Sequence, residues 1–347
     1  MSEQRPTFSI VAPIYNEESI LPEFYRRTRA VAQELGGTFE LVLIDDGSHD
    51  RTLATAKEIA AQDPCVKIIS FSRNFGHQIA ITAGIDYAEG DAVIIIDSDL
   101  QDPPEVIPEL VKHWRTGHDV VYATRSERRG ETWFKLATAG LFYWLINRVT
   151  SLSIPSNTGD FRLIDRRVVL ALRQTREHHR FMRGLAVWVG FRQIGVEYVR
   201  HERSAGVTKY PLRRMLKLSA DAITSFSYVP LQLATTFGFW VSGLALLAIP
   251  VVAVLRLMGS NAFFGQATTL IAVLFLGGVQ LIFLGVIGEY LGRIYDEVKR
   301  RPLYIVGETV GLTPQGGAQA APGPSPDAES PELRGDGQHA VGEGREV

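Results

Sequence analysis

The chain has 347 residues, 46% of them hydrophobic, and a formal net charge of −2 at pH 7. This length accommodates one large domain or two ordinary domains with a sizeable core. A net charge near zero gives no support for nucleic-acid binding, and Cys65, the only cysteine, excludes a disulfide framework. No signal-peptide pattern precedes the first predicted strand, so we expect the amino-terminal part in the reducing cytoplasm.

Strand and helix patterns alternate over the first 124 residues. Apolar runs predict strands at residues 7–13, 39–44, 67–71, 92–96 and 120–124. Helical spacing of apolar residues fills the intervals, at residues 21–35, 50–61, 78–88 and 104–114. This alternation predicts right-handed crossovers and an α/β fold with a mostly parallel sheet covered on both faces. Further strands are expected directly after Asp160 and at residues 193–199.

Acidic or polar turns close three of the predicted strands. They are Tyr15-Asn16-Glu17, Asp45-Asp46 and Asp97-Ser98-Asp99. The carboxyl ends of parallel strands are neighbours, so we expect these side chains on one rim, where open α/β sheets bind ligands. The sequence contains no GxxxxGK[ST] motif, and no GxGxxG follows the first strand. A nucleotide site here would therefore lack both a P-loop and a dinucleotide fingerprint.

The carboxylates after the central strand, at Asp97, Asp99 and Asp102, suit a divalent cation. One residue separates Asp97 from Asp99, so both can reach a single Mg²⁺ or Mn²⁺, which in turn can hold a diphosphate. The alternative is an acidic loop in which one aspartate caps the helix that the following prolines open.

Two segments combine cations with glycine. Arg125, Arg128, Arg129 and Lys135 surround Gly130, while Arg200, Arg203 and Lys209 surround Gly206. Such segments suit phosphate binding, and the alternative is a solvated surface. The loop at residues 72–77 is either a polar loop or a substrate-facing one.

Beyond residue 211 the sequence becomes that of a membrane protein. No Asp, Glu, Lys or Arg occurs at residues 222–255 or 257–288, which predicts spans at 237–255 and 268–288. Flanking cations predict that both ends are cytoplasmic, with Arg256 as an exception. The alternatives are a buried helical hairpin for the spans and an ordinary surface helix for the preceding amphipathic segment. The predicted divisions are a catalytic domain (1–208), an interfacial helix region (209–234), two spans (235–292), a cytoplasmic segment (293–310) and a disordered tail (311–347).

Six motifs in order resemble glycosyltransferase family 2, and within it the polyprenyl-phosphate glycosyltransferases, with the bactoprenol glucosyltransferases most similar. They are VAPIYNEE (11–18), IDDGSHDRT (44–52), SRNFGHQIAITAGID (72–86), IIIDSDLQDPPE (94–105), NTGDFRLIDR (157–166) and ERSAGVTKY (202–210). The resemblance implies a GT-A fold, a nucleotide-diphosphate-sugar donor, Mg²⁺ or Mn²⁺, and a polyprenyl phosphate acceptor.

The resemblance also implies roles for single residues. The nucleotide sugar would contact Pro13, Tyr15, Glu17, Asp46, Asp97, Ser98 and Lys209. The metal would be held by Asp97, Asp99 and Gln101, and the acceptor phosphate by Arg125 and Arg128. The residues expected at the reaction centre are Asp160, Asp99 and Arg203, with Asp160 either a base or a group that orients acceptor or sugar. Ser98 departs from the alanine common in bactoprenol glucosyltransferases.

The activity implied is inverting transfer of a hexose to the phosphate of a membrane lipid. UDP-glucose is the favoured donor because the LQDPPE variant is most like that of the bactoprenol glucosyltransferases. UDP-N-acetylhexosamine and GDP-mannose are the next candidates. The resemblance also makes a homotetramer in the inner membrane the expected assembly. The alternatives are a processive polysaccharide synthase, for which no QxxRW-type motif is present, and a non-catalytic membrane scaffold.

Overall fold

The computed structural model describes residues 5–126, 155, 158–199, 227–258 and 266–312. The strands in these ranges are β1 (Phe8–Ile14), β2 (Phe39–Asp45), β3 (Val66–Phe71), β4 (Ala92–Ile95), β5 (Val120–Arg125), β6 (Thr158–Asp165), β7 (Gln193–Tyr198) and β8 (Val306–Val310). The helices are α1 (Leu21–Glu34), α2 (Thr52–Gln62), α3 (His77–Tyr87), α4 (Ile107–Arg115), α5 (Arg166–Gln174), α6 (Met182–Trp188), α7 (Val229–Leu257) and α8 (Gln266–Lys299), and a 3-10 turn spans Pro104–Val106.

The strands form one sheet in the order β7-β5-β6-β4-β1-β2-β3-β8. Strands β4, β1, β2 and β3 are parallel to one another, as are β5 and β7. Helices α1, α2 and α4 contribute to the core on one face, and α3, α5 and α6 to the core on the other. The predicted fold class, an α/β fold with a mostly parallel sheet covered on both faces, is confirmed.

Two strands run against this direction. Strand β6 lies antiparallel between β4 and β5, and β8 pairs antiparallel with β3 at the edge. Strand β8 lies inside the predicted cytoplasmic segment 293–310, so this segment adds an edge strand to the sheet of the predicted catalytic domain. Its sequence, VGETV, is short and largely exposed, which leaves no apolar run for a pattern to detect.

Helix α3 lies unusually close to the centre of the sheet. A methyl group on Gly84 would come within 2.1 Å of Val11 Cγ1 and 2.9 Å of Ile44 Cδ1. The glycine therefore permits the helix to pack directly on β1 and β2. This packing sets the height at which the first residues of α3, His77 and Gln78, meet the carboxyl-terminal rim of the sheet.

Helices α7 and α8 have 29 and 34 residues. Both are long and apolar enough to cross a membrane, and the apolar windows within them are not buried inside the protein. The predicted spans lie within these two helices. Of the predicted interfacial region only residues 227–234 are described, and most of the predicted tail lies outside the described residues.

The carboxyl-terminal end of α8 contacts the loop between α5 and α6, and the residues after it contact β3 and α3. Glu297 accepts a hydrogen bond from the backbone N–H of His178 at 2.7 Å. Beyond the helix, the Tyr304 ring stacks on Phe71 with centroids 5.2 Å apart, and its hydroxyl donates to Asp86 at 2.9 Å. The chain thus leaves the sheet after β7 and returns to it after the second apolar helix.

Candidate active site

The three acidic turns lie on one rim, as the sequence predicts. Strand β1 lies between β4 and β2, and all three run parallel. Hydrogen bonds extend the pairing past the strand ends, from Asp46 N to Ile14 O and from Ile96 N to Val11 O, both at 3.0 Å. The polar residues after each strand are therefore neighbours.

Asp46 organises the loop between β3 and α3. Its carboxylate accepts hydrogen bonds from the backbone N–H groups of Phe75 at 2.7 Å and Gly76 at 3.0 Å. Burial raises the pKa of Asp46, while these two bonds oppose that change. Gly76 has φ of 103°, a conformation that favours glycine. The predicted nucleoside contact Asp46 thus also fixes the loop that leads into His77.

Pro13, Glu17 and Ser98 form a hydrogen-bond chain at the floor of the rim. The Ser98 hydroxyl lies 2.8 Å from the Pro13 carbonyl oxygen and also contacts a Glu17 carboxyl oxygen. One hydroxyl proton cannot serve both acceptors, so a protonated Glu17 that donates to Ser98 completes the chain. Burial raises the pKa of Glu17 to about 7, in agreement with this arrangement. Tyr15, by contrast, is 41% exposed and open to a ligand.

Asp97 and Asp99 occupy the turn after β4. Asp97 Oδ1 is buried and has no hydrogen-bond partner, and burial raises the pKa of Asp97 to about 6. Asp99 Oδ1 accepts from the backbone N–H of Gln101 at 3.1 Å. Leu100, which lies between Asp99 and Gln101, has φ of 58°, a strained conformation for a non-glycine residue.

This turn fits a divalent cation. Among the described residues, no three His, Cys, Asp or Glu side chains group as metal ligands. Mg²⁺ and similar cations nevertheless bind through one or two carboxylates when substrate phosphates supply the other ligands. The buried Oδ1 of Asp97, which accepts no hydrogen bond within the described residues, is the ligand atom that such a cation would satisfy.

Asp160, on β6, is 5% exposed and lies in a dense polar cluster. The Arg183 guanidinium donates to both carboxylate oxygens, from Nε at 3.0 Å and from Nη2 at 3.3 Å. Gln78 Nε2 donates to Oδ2 at 3.2 Å. Burial acts to raise the pKa of Asp160, but Arg183 and His77 together hold it well below its ordinary value.

His77 connects Asp160 with the predicted metal-binding turn, Asp97-Ser98-Asp99. Its Nε2 lies 3.4 Å from Asp160 Oδ2 and 3.5 Å from Asp97 Oδ1. Burial lowers the pKa of His77, but the hydrogen bond to Asp160 and the charge of Asp97 outweigh burial and raise it to about 9. The imidazole is therefore a cation at neutral pH, beside two carboxylates.

Arg125 lies at the end of β5, near the same rim. Its Nε donates to the Tyr198 hydroxyl at 3.4 Å, and that hydroxyl donates to Asp102. A methyl group on Gly159 would approach Arg125 Nη2 to 3.0 Å, so the glycine leaves room for the guanidinium. Asp102 therefore helps to place Arg125 through Tyr198.

The described residues bring most of the predicted site together. Ser98 contacts both Pro13 and Glu17, and His77 connects Asp160 to Asp97 in the predicted metal-binding turn. Three predicted residues lie outside the described residues: Arg128, Arg203 and Lys209. The sequence pattern missed four contributors, namely His77, Gln78, Arg183 and Tyr198. Only the first two stand in a segment, 72–86, that the motifs singled out.

Comparison with known proteins identifies the family of the chain. Residues 9–172 match the family described as glycosyl transferase family 2. The chain is 51% identical to a Bacillus subtilis (strain 168) protein named uncharacterized glycosyltransferase YkcC, over 88% of this chain and 94% of that protein. It is 45% identical to the bactoprenol glucosyl transferase of Shigella phage SfII, over 86% of this chain and 96% of that protein.

Among solved structures, the chain is similar to glucosyl-3-phosphoglycerate synthase from Mycobacterium tuberculosis, which was crystallised with Mn²⁺ and uridine-diphosphate-glucose. The identity is 23%, the TM-score is 0.42, and the match covers 63% of this chain and 77% of that chain. The relatives that match most of the chain confirm the resemblance, the GT-A fold and the transferase activity that it implies. The chain belongs to glycosyltransferase family 2.

Proposed function

We propose that this glycosyltransferase transfers a hexose, with UDP-glucose as the favoured donor, to the phosphate of a membrane polyprenyl phosphate. The names of the bactoprenol glucosyl transferases, similar over 86% of the chain, support the acceptor class and the sugar. The observation that carries the proposal is the buried Oδ1 of Asp97 at the rim, which accepts no hydrogen bond within the described residues, in a chain with two helices of membrane-spanning length.

A divalent cation, Mg²⁺ or Mn²⁺, would be held by Asp97 and Asp99, with Gln101 in the position that completes the family motif. When bound, the cation neutralises the negative charge that develops on the departing diphosphate. Arg203 and Lys209 would contact the same diphosphate from their glycine-containing loop. Pro13, Tyr15, Glu17 and Asp46 would hold the nucleoside at the ends of β1 and β2, where Tyr15 already presents an exposed ring.

The acceptor does not need a strong base. A phosphate monoester has a second pKa of about 6, so its oxygen is largely ionised at neutral pH. That oxygen attacks the anomeric carbon while the bond to the diphosphate breaks, which inverts the configuration. Arg125 and Arg128 would hold the acceptor phosphate, and Tyr198 keeps Arg125 oriented for this contact.

The two apolar helices would keep the site at the height of the lipid phosphate. Cations flank the pair, and the proposal therefore places both termini and the catalytic domain on the cytoplasmic side. Gly277, Gly278, Gly285 and Gly288 on α8 have open space around them. A helix from a second copy fits against such small residues, which supports a homotetramer.

The test is transfer of radiolabelled glucose by the full-length protein in lipid nanodiscs. Labelled undecaprenyl-phosphate sugar, formed from UDP-glucose only with Mg²⁺ or Mn²⁺, is the expected product. Parallel reactions with GDP-mannose and UDP-N-acetylhexosamine identify the sugar. Polymer would indicate a processive synthase, and no product with any donor would indicate a non-catalytic scaffold.

A variant pair connects the activity to the rim. Replacing Asp97 and Asp99 together with asparagine is expected to abolish metal-dependent transfer. The matched control is Asp91→Asn, because Asp91 is an exposed aspartate at the opposite end of β4, 3.8 Å from Arg5. Undiminished transfer by the double variant would refute the proposed metal site.

A further inference from the structure

Asp160 is held from two helices at once. The two Arg183 bonds form a fork on its carboxylate, and Gln78 adds a third donor from the first turn of α3. Gln78 also accepts a hydrogen bond from the backbone N–H of Met182 at 2.9 Å, through its Oε1. A single amide side chain therefore links Asp160 to the start of α6, one residue before Arg183.

This arrangement leaves the carboxylate little freedom. A rotation of the Asp160 side chain would break at least one bond of the Arg183 fork and would leave a buried charge incompletely paired. To accept a proton from a substrate, Asp160 would have to displace one of the donors that already occupy its oxygens. The low pKa of Asp160 points the same way, because a carboxylate held in its ionised form is a weak base.

We propose that Arg183 is a positioning residue for hexose transfer: it fixes Asp160 as an oriented negative charge that holds His77 beside the metal-binding turn, so that Asp160 does not serve as the base. The inference rests on the proposed function, since transfer to polyprenyl phosphate is the reaction measured. Arg183 belongs to none of the motifs that mark the family resemblance.

The contact geometry explains why arginine is required. Its planar guanidinium spans both oxygens of the carboxylate, whereas lysine would place a single ammonium against one of them. Arg183→Lys therefore retains the charge and loses the fork, and Arg183→Gln loses both. Comparison of the two variants therefore separates the effect of losing the positive charge from the effect of losing the two-bond orientation of Asp160.

The chain offers a matched control in Arg176, which precedes α6 by six residues. Arg176 also pairs with an aspartate, through Nη1 alone at 2.7 Å from Asp86 Oδ2, and within the described residues it is bonded to no residue of the site. Arg176→Gln therefore removes an arginine–aspartate ion pair from the same region. Any general effect of losing an arginine there will appear in this variant too.

The experiment measures kcat and KM for full-length variants in nanodiscs, with undecaprenyl phosphate, UDP-glucose and Mn²⁺. We expect Arg183→Gln to lower kcat by about 10- to 100-fold, the usual effect of losing a charge-assisted hydrogen-bonded pair, while KM for the donor changes by less than about 3-fold. Arg183→Lys should fall between Arg183→Gln and the wild type. Arg176→Gln should remain within about 2-fold of the wild type.

A double-mutant cycle separates positioning from a general structural role. Asp160→Asn should lose about as much kcat as Arg183→Gln, and adding Arg183→Gln to Asp160→Asn should cost less than about 2-fold more. If Arg183→Gln fails to fold, Arg183→Lys takes its place in the cycle.

Three results would overturn the inference. The first is wild-type kcat in Arg183→Gln. The second is additive losses in the cycle, and the third is a loss in Asp160→Asn that exceeds that of Arg183→Gln by more than about 10-fold, as a true base would show. Absence of transfer by the wild type would instead refute the proposed function, and this inference with it.

Discussion

Adding one methyl group at Gly84 tests how α3 sets the position of the site. The new Cβ of Gly84→Ala would lie 2.1 Å from Val11 Cγ1, whereas carbon atoms in protein interiors pack at about 3.5–4.0 Å. Val11 is fully buried on β1, which has a neighbouring strand on each side, so its side chain cannot move away from the added methyl group. Helix α3 must therefore move by roughly 1.5 Å, which follows from the difference between these distances.

The expected cost is about 2–3 kcal/mol, the upper part of the range for overpacked cores. For a domain of this size that corresponds to a melting temperature lower by roughly 4–12 °C. Transfer activity should fall further than stability alone explains, since α3 begins with His77 and Gln78, which contact Asp160. Thermal unfolding of the full-length protein in detergent, followed by tryptophan fluorescence, measures the first effect.

Two further variants sharpen the test. Gly243→Ala adds the same methyl group to α7, where no atom lies within 4 Å, and should leave the melting temperature unchanged. Val11→Ala removes the clashing Cγ1, so Val11→Ala with Gly84→Ala should lose less than the sum of the single losses. A Gly84→Ala protein as stable as the wild type, or strictly additive losses, would refute the close packing of α3.

Three other predictions concern the rim. Asp97→Asn should raise the metal-free melting temperature at pH 7.5, because it removes a carboxylate whose pKa burial raises to about 6, and should abolish stabilisation by Mn²⁺ with UDP; a lower melting temperature would contradict this. Glu17 has a pKa raised to about 7 from 4.5, so the folded state retains a proton that the unfolded state releases. The free energy of unfolding of the wild type, measured in urea without metal, should therefore fall relative to that of Glu17→Gln as the pH rises from about 4.5 to 7. A difference between the two proteins that does not change with pH would contradict the raised pKa. Gly159→Ala should displace Arg125, because Arg125 Nη2 lies 3.0 Å from the position of the added carbon. We expect a higher KM for the lipid acceptor and unchanged donor binding measured by calorimetry. An unaltered acceptor KM would contradict the proposed role of Arg125.

The parallel half of the fold could be predicted because its signals are local. An apolar strand that ends in carboxylates, such as the one before Asp97, predicts both that the strand is buried and where the rim lies. The position of the Asp97-Ser98-Asp99 turn and the contact between Glu17 and Ser98 follow from that placement, since neighbouring parallel strands must bring their ends together.

The remaining features depend on contacts between distant parts of the chain. Arg183 reaches Asp160 across 23 residues and Gln78 reaches it across 82, and neither pairing has a local pattern. The direction of β6 is set by its neighbours in the sheet, so its apolar sequence gives no sign that it is antiparallel. Strand β8 is too short and polar for a sequence pattern to predict it, and it is a strand because it pairs with β3.

The position of β8 in the chain has a consequence for biosynthesis. As the nascent chain leaves the ribosome, the edge of β3 remains unpaired until both apolar helices have been translated, because the strand that covers it follows them. An open sheet edge readily recruits other strands. Completion of the catalytic sheet is therefore delayed until the helices are made, and a protein truncated ahead of them would lack both helices and leave the edge of β3 exposed.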